Sequence, residues 1–267
     1  MKQTRRMFSW MVACTLAMLM VANASAKERT GTVVRLKGAA RYSTGNNVWQ
    51  PVRVGAIFQS GTLVQTAAGS YVDVVLGEFN STPPRAIASS TVSYKPKADQ
   101  DLVRILEDSL LAFDKLSATD TGADEVTDTQ LDLRSGKIFG TVKKLTATSR
   151  YEIKLPNGVA GIRGTIYTIS ADGVLQVLTG SVVISWVAAD GTPMTQTVNG
   201  GFQFDAHTGQ VTPITDFDRN AMSTSAMQVR IGTGAPTRSF IEDRTIYFVS
   251  PTQGFNGNPG EDRGNGD

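Results

Sequence analysis

His207 is the only imidazole in the chain, and it stands in the turn-forming run Asp205-Ala206-His207-Thr208-Gly209. Serine-type hydrolysis needs a nucleophile with a base beside it. His207 would have to meet a distant Ser, and no Gly-x-Ser-x-Gly elbow supplies one, so the residue reads as an exposed turn residue. With Cys14 the only cysteine, the usual zinc sets of Cys and His cannot be assembled, and a metal could sit only on carboxylates. Asp120, Asp124, Glu125 and Asp128 crowd one stretch, but without the Asp-x-Asp-x-Asp-Gly order of a calcium loop, so solvation explains them. A glycosidase pair of carboxylates can meet only in three dimensions. Of the three Trp, one is Trp10 near the N-terminus, and no aromatic sugar platform is evident. The expectation is a non-enzymatic protein with no catalytic residue, no cofactor and no metal site.

Recognition chemistry is concentrated in Val159-Ala160-Gly161-Ile162-Arg163-Gly164-Thr165, just after the turn at Asn157-Gly158. Gly161 and Gly164 permit positive φ or close backbone approach, and Arg163 between them carries five donors. The favoured reading makes Arg163 a clamp on the carbonyls of an adjoining turn; the alternative makes it a ligand-binding residue. The string is not a phosphate loop, because no Lys-Ser/Thr pair opens a helix after the glycines. The candidate binding residues are therefore Arg163, Gly164, Thr165 and Asn157.

The elements that must carry these residues are short strands. Thr62–Thr66 and Tyr71–Leu76 are separated by Ala68-Gly69-Ser70, and Tyr151–Leu155 alternates cleanly before Pro156-Asn157-Gly158. Thr165–Ile169, Val174–Leu178, Val182–Trp186 and Gly201–Phe204 follow, each closed by turn residues. Regular spacing of this kind predicts an all-β fold, a sandwich or a β-solenoid-like arrangement. Trp49, Tyr71, Tyr94, Trp186 and Phe204 fall on strand-like segments and are expected mostly in the core. Two stretches depart from the pattern. Leu102, Ile105, Leu106, Leu110, Phe113 and Leu116 recur at three and four residue steps, which predicts an inserted amphipathic helix over 99–116, followed by a mobile loop over 117–130. A second helix is expected over 216–230, and the Gly- and Asn-rich tail after Pro251 reads as disordered.

The N-terminus sets the expected compartment. Lys2, Arg5 and Arg6 precede an apolar run from Phe8 to Val21, and Ala24-Ser25-Ala26 is a small-x-small cleavage site, so residues 1–26 read as a signal peptide with Lys27 the first mature residue. Thr4-Arg5-Arg6-Met7-Phe8 resembles a twin-arginine signal, though Sec export suits it better. Cleavage would remove Cys14 with three of the 26 basic residues and none of the 24 acidic ones, leaving a net charge of −1. Nothing in that balance points to nucleic acid. No later stretch is long and apolar enough to span a bilayer.

Several strings together resemble the FecR domain: Leu131-x-Leu133-x-Ser135-Gly136-Lys137, Tyr151-Glu152-Ile153-Lys154-Leu155-Pro156, Val159-Ala160-Gly161-Ile162-Arg163-Gly164-Thr165 and Val177-Leu178-Thr179-Gly180-Ser181-Val182. The earlier Val54-Gly55 and Ser60-Gly61-x-Leu63-x-Thr66 fit as well, so the likeness covers most of 30–205 outside about 98–130. The resemblance implies a periplasmic all-β module of the kind that relays a receptor's signal to a sigma factor. A cleavable leader stands where the regulator would carry its anti-sigma and spanning segments, so a free-standing exported domain is expected, over 27–215, with an extension over 216–250 and the tail 251–267. Its expected work is recognition of an envelope protein or polysaccharide, at the periplasm or cell surface, with self-association through uncovered sheet edges as the alternative. A carbohydrate-active enzyme on the same framework is a third reading.

Overall fold

The computed structural model describes residues 26–45, 48–77, 96–122, 124–188 and 190–232. The strands are β1 (Ala26–Glu28), β2 (Gly31–Lys37), β3 (Ala40–Ser43), β4 (Gln50–Pro51), β5 (Ile57–Phe58), β6 (Thr62–Thr66), β7 (Tyr71–Leu76), β8 (Leu102–Ile105) and β9 (Leu110–Asp120). They continue with β10 (Glu125–Ser135), β11 (Lys137–Thr141), β12 (Arg150–Leu155), β13 (Gly158–Ser170), β14 (Val174–Val187), β15 (Pro193–Asn199), β16 (Phe202–Asp205) and β17 (Gln210–Pro213). One helix, α1 (Asp216–Gly232), closes the described chain. The all-β expectation holds.

The pairings divide into two layers joined by strands long enough to belong to both. The first runs β4-β3-β6-β9-β10-β12, then the first half of β13, the second half of β14, and β15. The second runs β5-β2-β7-β8-β11, then the second half of β13, the first half of β14, β16 and β17. The chain steps from β10 to β11 in the other layer and back to β12, which lies parallel to β10, as in one coil of a solenoid. The main core lies between the layers, with Val72, Val74, Ile105 and Ile138 from the second facing Phe113, Leu131, Ile153 and Ile184 from the first.

The middle strands of the second layer, β2, β7, β8, β11 and the second half of β13, are buried on both faces. The layer's outer side contributes Val34, Val75, Leu102, Phe139 and Ile166 to a smaller core that α1 covers with Met222, Ala226 and Val229. Those three helical positions lie on one face at steps of four and three. Thr215 caps the helix, its Oγ1 accepting from the Asp218 N–H at 3.1 Å, and Asp216 and Asp218 in the first turn suit the dipole. Beneath the helix Arg35, Asp73 and Arg104 sit side by side on β2, β7 and β8. Arg104 grips Asp73 with two bonds of 2.7 and 2.9 Å, and Arg35 adds an ion pair at 3.7 Å. Both guanidinium groups also donate to α1, Arg35 to the Gln228 carbonyl and Arg104 to its side-chain oxygen. A second buried pair ties the layers together: Arg29 bonds Asp101 at 3.2 Å, the Leu76 carbonyl and Thr129.

The expected helix over 99–116 is instead β8, a turn, and the start of β9. Residues 102–105 and 110–113 are buried on both faces, so the two-residue alternation disappears and the apolar positions imitate a helical period. Asp108, with φ of 51°, makes the turn. The expected loop over 117–130 is the outer part of the β9–β10 hairpin, paired from Ser117 with Asp128 to Asp120 with Glu125. Its inward positions are small Thr and Ala, such as Ala118, Thr127 and Thr129, rather than the bulky residues that mark a strand by eye. The second helix, expected over 216–230, is α1. Residues 1–25 of the expected 1–26 leader, Tyr94 and the tail after Pro251 lie outside the described residues.

Candidate recognition edge

The Arg-Gly-Thr string is the corner at which β13 passes from one layer to the other. The register between β13 and β14 shifts between Arg163 and Ile166. A bulge there turns the strand and re-aims its side chains. Gly164 takes φ of 68°, and a Cβ on it would stand 3.2 Å from the Lys144 Cα. Across the corner Gly180 has φ of 84°, and a Cβ on it would overlap the Gly164 carbonyl oxygen. Thr165 is fully buried; its hydroxyl donates to the Ser181 carbonyl at 2.9 Å, while its backbone exchanges both bonds with Val142. Gly164 and Thr165 are therefore fold-determining.

Arg163 differs from its neighbours. Its side chain is exposed, and no hydrogen bond or ion pair joins it to any of the described residues. The clamp reading is thus replaced: the glycines and Thr165 hold the corner, and Arg163 projects from it. Asn157 is exposed in the turn before β13, and its carbonyl accepts from the Val187 N–H. It lies six residues before Arg163 along an extended strand, about 20 Å away. The structure gathers Arg163, Gly164 and Thr165 and leaves Asn157 at the far end of the strand.

The outer face of the first layer connects these points. Over β9, β10 and β12 it is laced with opposite charges: Lys115 with Asp128, Asp128 with Arg150, Arg150 with Glu152, and Lys154 with Asp114. Of the acidic stretch, Asp128 belongs to this lacing, while Asp120 accepts from the Gly122 N–H in the hairpin turn. Partial burial pushes the Asp128 carboxyl up, but the Lys115 bond and the charges of Lys115 and Arg150 outweigh it and hold the group below its ordinary value. No group of three or more metal-ligating side chains occurs among the described residues. His207 is exposed in its turn, its N–H donating to Asp205.

Beyond β12 the character of the face changes. Val159 on β13 and Val183 and Val187 on β14 are 38, 46 and 55 % exposed, and Ser185 shares a hydrogen bond with Thr195 on β15. Strand β15 is the border. Among the described residues it pairs with β14 alone, and Pro193-Met194-Thr195-Gln196-Thr197-Val198-Asn199 holds no charge. The bonds from Ala188 N–H to Thr192 and from Gly200 N–H to Gly180 fix which residues of β15 face β14. By the alternation of an antiparallel ladder those are Met194, Gln196 and Val198, while Pro193, Thr195, Thr197 and Asn199 direct their backbone groups outward. Gln196 donates from its side chain to the Thr197 carbonyl. Outward N–H groups remain at Thr195, Thr197 and Asn199; Pro193 has none to offer. Nothing in the sequence singles out this border, because β15 shows neither alternation nor a motif.

A family model described as FecR protein matches residues 90–183, which takes in β8 to β13 and most of β14. The FecR likeness is shown for that stretch, and it includes the 98–130 segment expected to interrupt it. Two crystal structures of a candidate anti-sigma factor from Parabacteroides distasonis are similar at 12 and 11 % identity, with TM-scores of 0.32 and 0.31. Each match covers 45 % of this chain and 54 % of the other, so it spans about half the length of those proteins. No curated protein matches the sequence.

Proposed function

We propose that the protein is an exported, non-catalytic module of FecR type that recognises another envelope protein by adding an extended segment of it to β15. The observation carrying this reading is the edge itself: seven uncharged residues, three of them with outward N–H groups, beside the exposed Val159, Val183 and Val187. Strand addition draws affinity from main-chain bonds and specificity from neighbouring side chains. Natural proteins usually blunt such an edge with charge, bulges or cover; among the described residues only Pro193 at one end does so. Arg163 stands in the same cross-strand row as Ser181 and Asn199, where it can read an acidic side chain of the incoming segment. The FecR likeness supports a signalling role, and the leader-like N-terminus supports the envelope as its place.

Replacing Thr195 and Thr197 by proline removes two outward donors without touching the main-chain bonds to β14; of the bonds to that strand only the Ser185–Thr195 hydroxyl contact is lost. We expect this double variant to fold, as judged by circular dichroism, and to lose a specific partner that the unaltered protein retains from its own envelope fraction. The variant Arg163→Ala should fold equally well and weaken the same capture. Retention of the partner by a folded proline variant would rule out β15 as the recognition edge.

A further inference from the structure

We infer that, when no partner is present, the segment lying on β15 is β15 of a second copy, paired antiparallel about a two-fold axis at Gln196. The inference rests on the reading of β15 as an open recognition edge and names its resting occupant.

The strand is self-complementary in that register. An isologous pair matches each residue with its mirror position in the copy. Centring on Gln196, the middle of Pro193–Asn199, uses the whole strand. Thr195 of one copy then faces Thr197 of the other, and both are outward-directed, so each pair exchanges two main-chain bonds. Asn199 meets Pro193, and the Asn199 N–H finds the proline carbonyl while the missing proline donor falls at the periphery. On the outer face the Thr195 and Thr197 side chains stand opposite one another, a favourable cross-strand pair. On the inner face Met194, 45 % exposed in the single chain, comes against Val198. Gln196 meets its own copy, and its amide, which now occupies the Thr197 carbonyl, is free to bond the opposing amide.

Electrostatics favours the copy as well. The strand carries no charge, whereas the same face over β9, β10 and β12 is charged in every row. A like-charge pair across the new seam is therefore absent from β15 itself. The remaining edges among the described residues compete poorly, since β4 and β5 have two residues each, β1 has three and β17 has four.

Sedimentation of the full chain across a concentration series tests this, with the Thr195→Pro/Thr197→Pro double variant alongside. We expect a concentration-dependent dimer that the prolines convert to monomer. In a Cys14→Ser background, Gln196→Cys should form an intermolecular disulfide, because the two residues form a non-hydrogen-bonded pair with Cα atoms about 4.5 Å apart. A monomer at every concentration, or a dimer that survives the prolines, overturns the inference. If the prolines unfold the strand, the disulfide decides, and its absence overturns it. A monomer that still loses its partner on proline substitution overturns self-pairing alone and leaves the recognition edge standing.

Discussion

Asp73 is the residue on which the outer side of the second layer depends. It is almost fully buried between Arg104 and Arg35, and both arginines continue to α1 through Gln228. The Tyr71 ring lies 4.5 Å beneath the Arg104 guanidinium and shields it from water. Removing one member of a buried pair leaves the other charged and uncompensated, which costs about 3–5 kcal/mol. Asp73→Ala should therefore lower the unfolding free energy by that amount, read as a lower denaturation midpoint, and loosen α1, seen as faster amide exchange in the helix; an unchanged midpoint would contradict it. Arg163 shows the opposite case of a residue prominent in sequence and structurally unengaged. Its place between two glycines suggested a clamp, yet the clamp bonds are made by Thr165 and the backbone of Val142. A donor-rich side chain says nothing of its direction until the bulge is known.

At the scale of the element, the β13–β14 hairpin joins the layers, and the joint is the contact of Gly180 with the Gly164 carbonyl. Gly180→Ala would force a side chain into positive φ, costing about 1–3 kcal/mol, and the overlap with Gly164 adds to it. We expect this variant to be less stable than Gly191→Ala, which also sits at positive φ but has nothing nearby; equal denaturation midpoints would remove the joint's special role. The two layers also explain what could be read in advance. Strands open on one side, such as β12 with its buried Tyr151 and Ile153 and its partly exposed Glu152, alternate and were legible. Strands of the second layer face a core on each side, so neighbours such as Val74 and Val75 or Leu102 and Val103 are both apolar and the period is lost. Leucine-rich composition then tipped β8 and β9 towards a helical reading that tertiary pairing overrides. Helix α1 was legible because only one of its faces is buried. The β15 border was not, since a border strand is defined by what it fails to pair with.

For the molecule as a whole, the interior between the layers holds an ionisable pair that reports on their closure. Tyr151 comes from the first layer and Tyr167 from the second; their hydroxyls lie 3.4 Å apart and both rings are buried. Burial pushes the Tyr151 phenol well above its ordinary value, with Tyr167 and Asp101 adding to the effect, and burial also raises Tyr167. Raised folded values mean that this contribution to stability is intact below the unfolded value of about 10 and declines as pH rises above it, because the unfolded chain can ionise where the folded one cannot. Denaturation midpoints should accordingly fall above about pH 10. Tyr151→Phe/Tyr167→Phe should flatten that fall, and an unchanged slope in the variant would exclude the pair as its source. The distribution of edge lengths has a consequence for how far assembly can go. Once a copy or a partner lies along β15, the strand's outward groups are spent, and the other described borders are too short to seed a further strand. Growth ends at one added chain, so the protein can keep a sticky, uncharged edge without becoming the seed of a fibre.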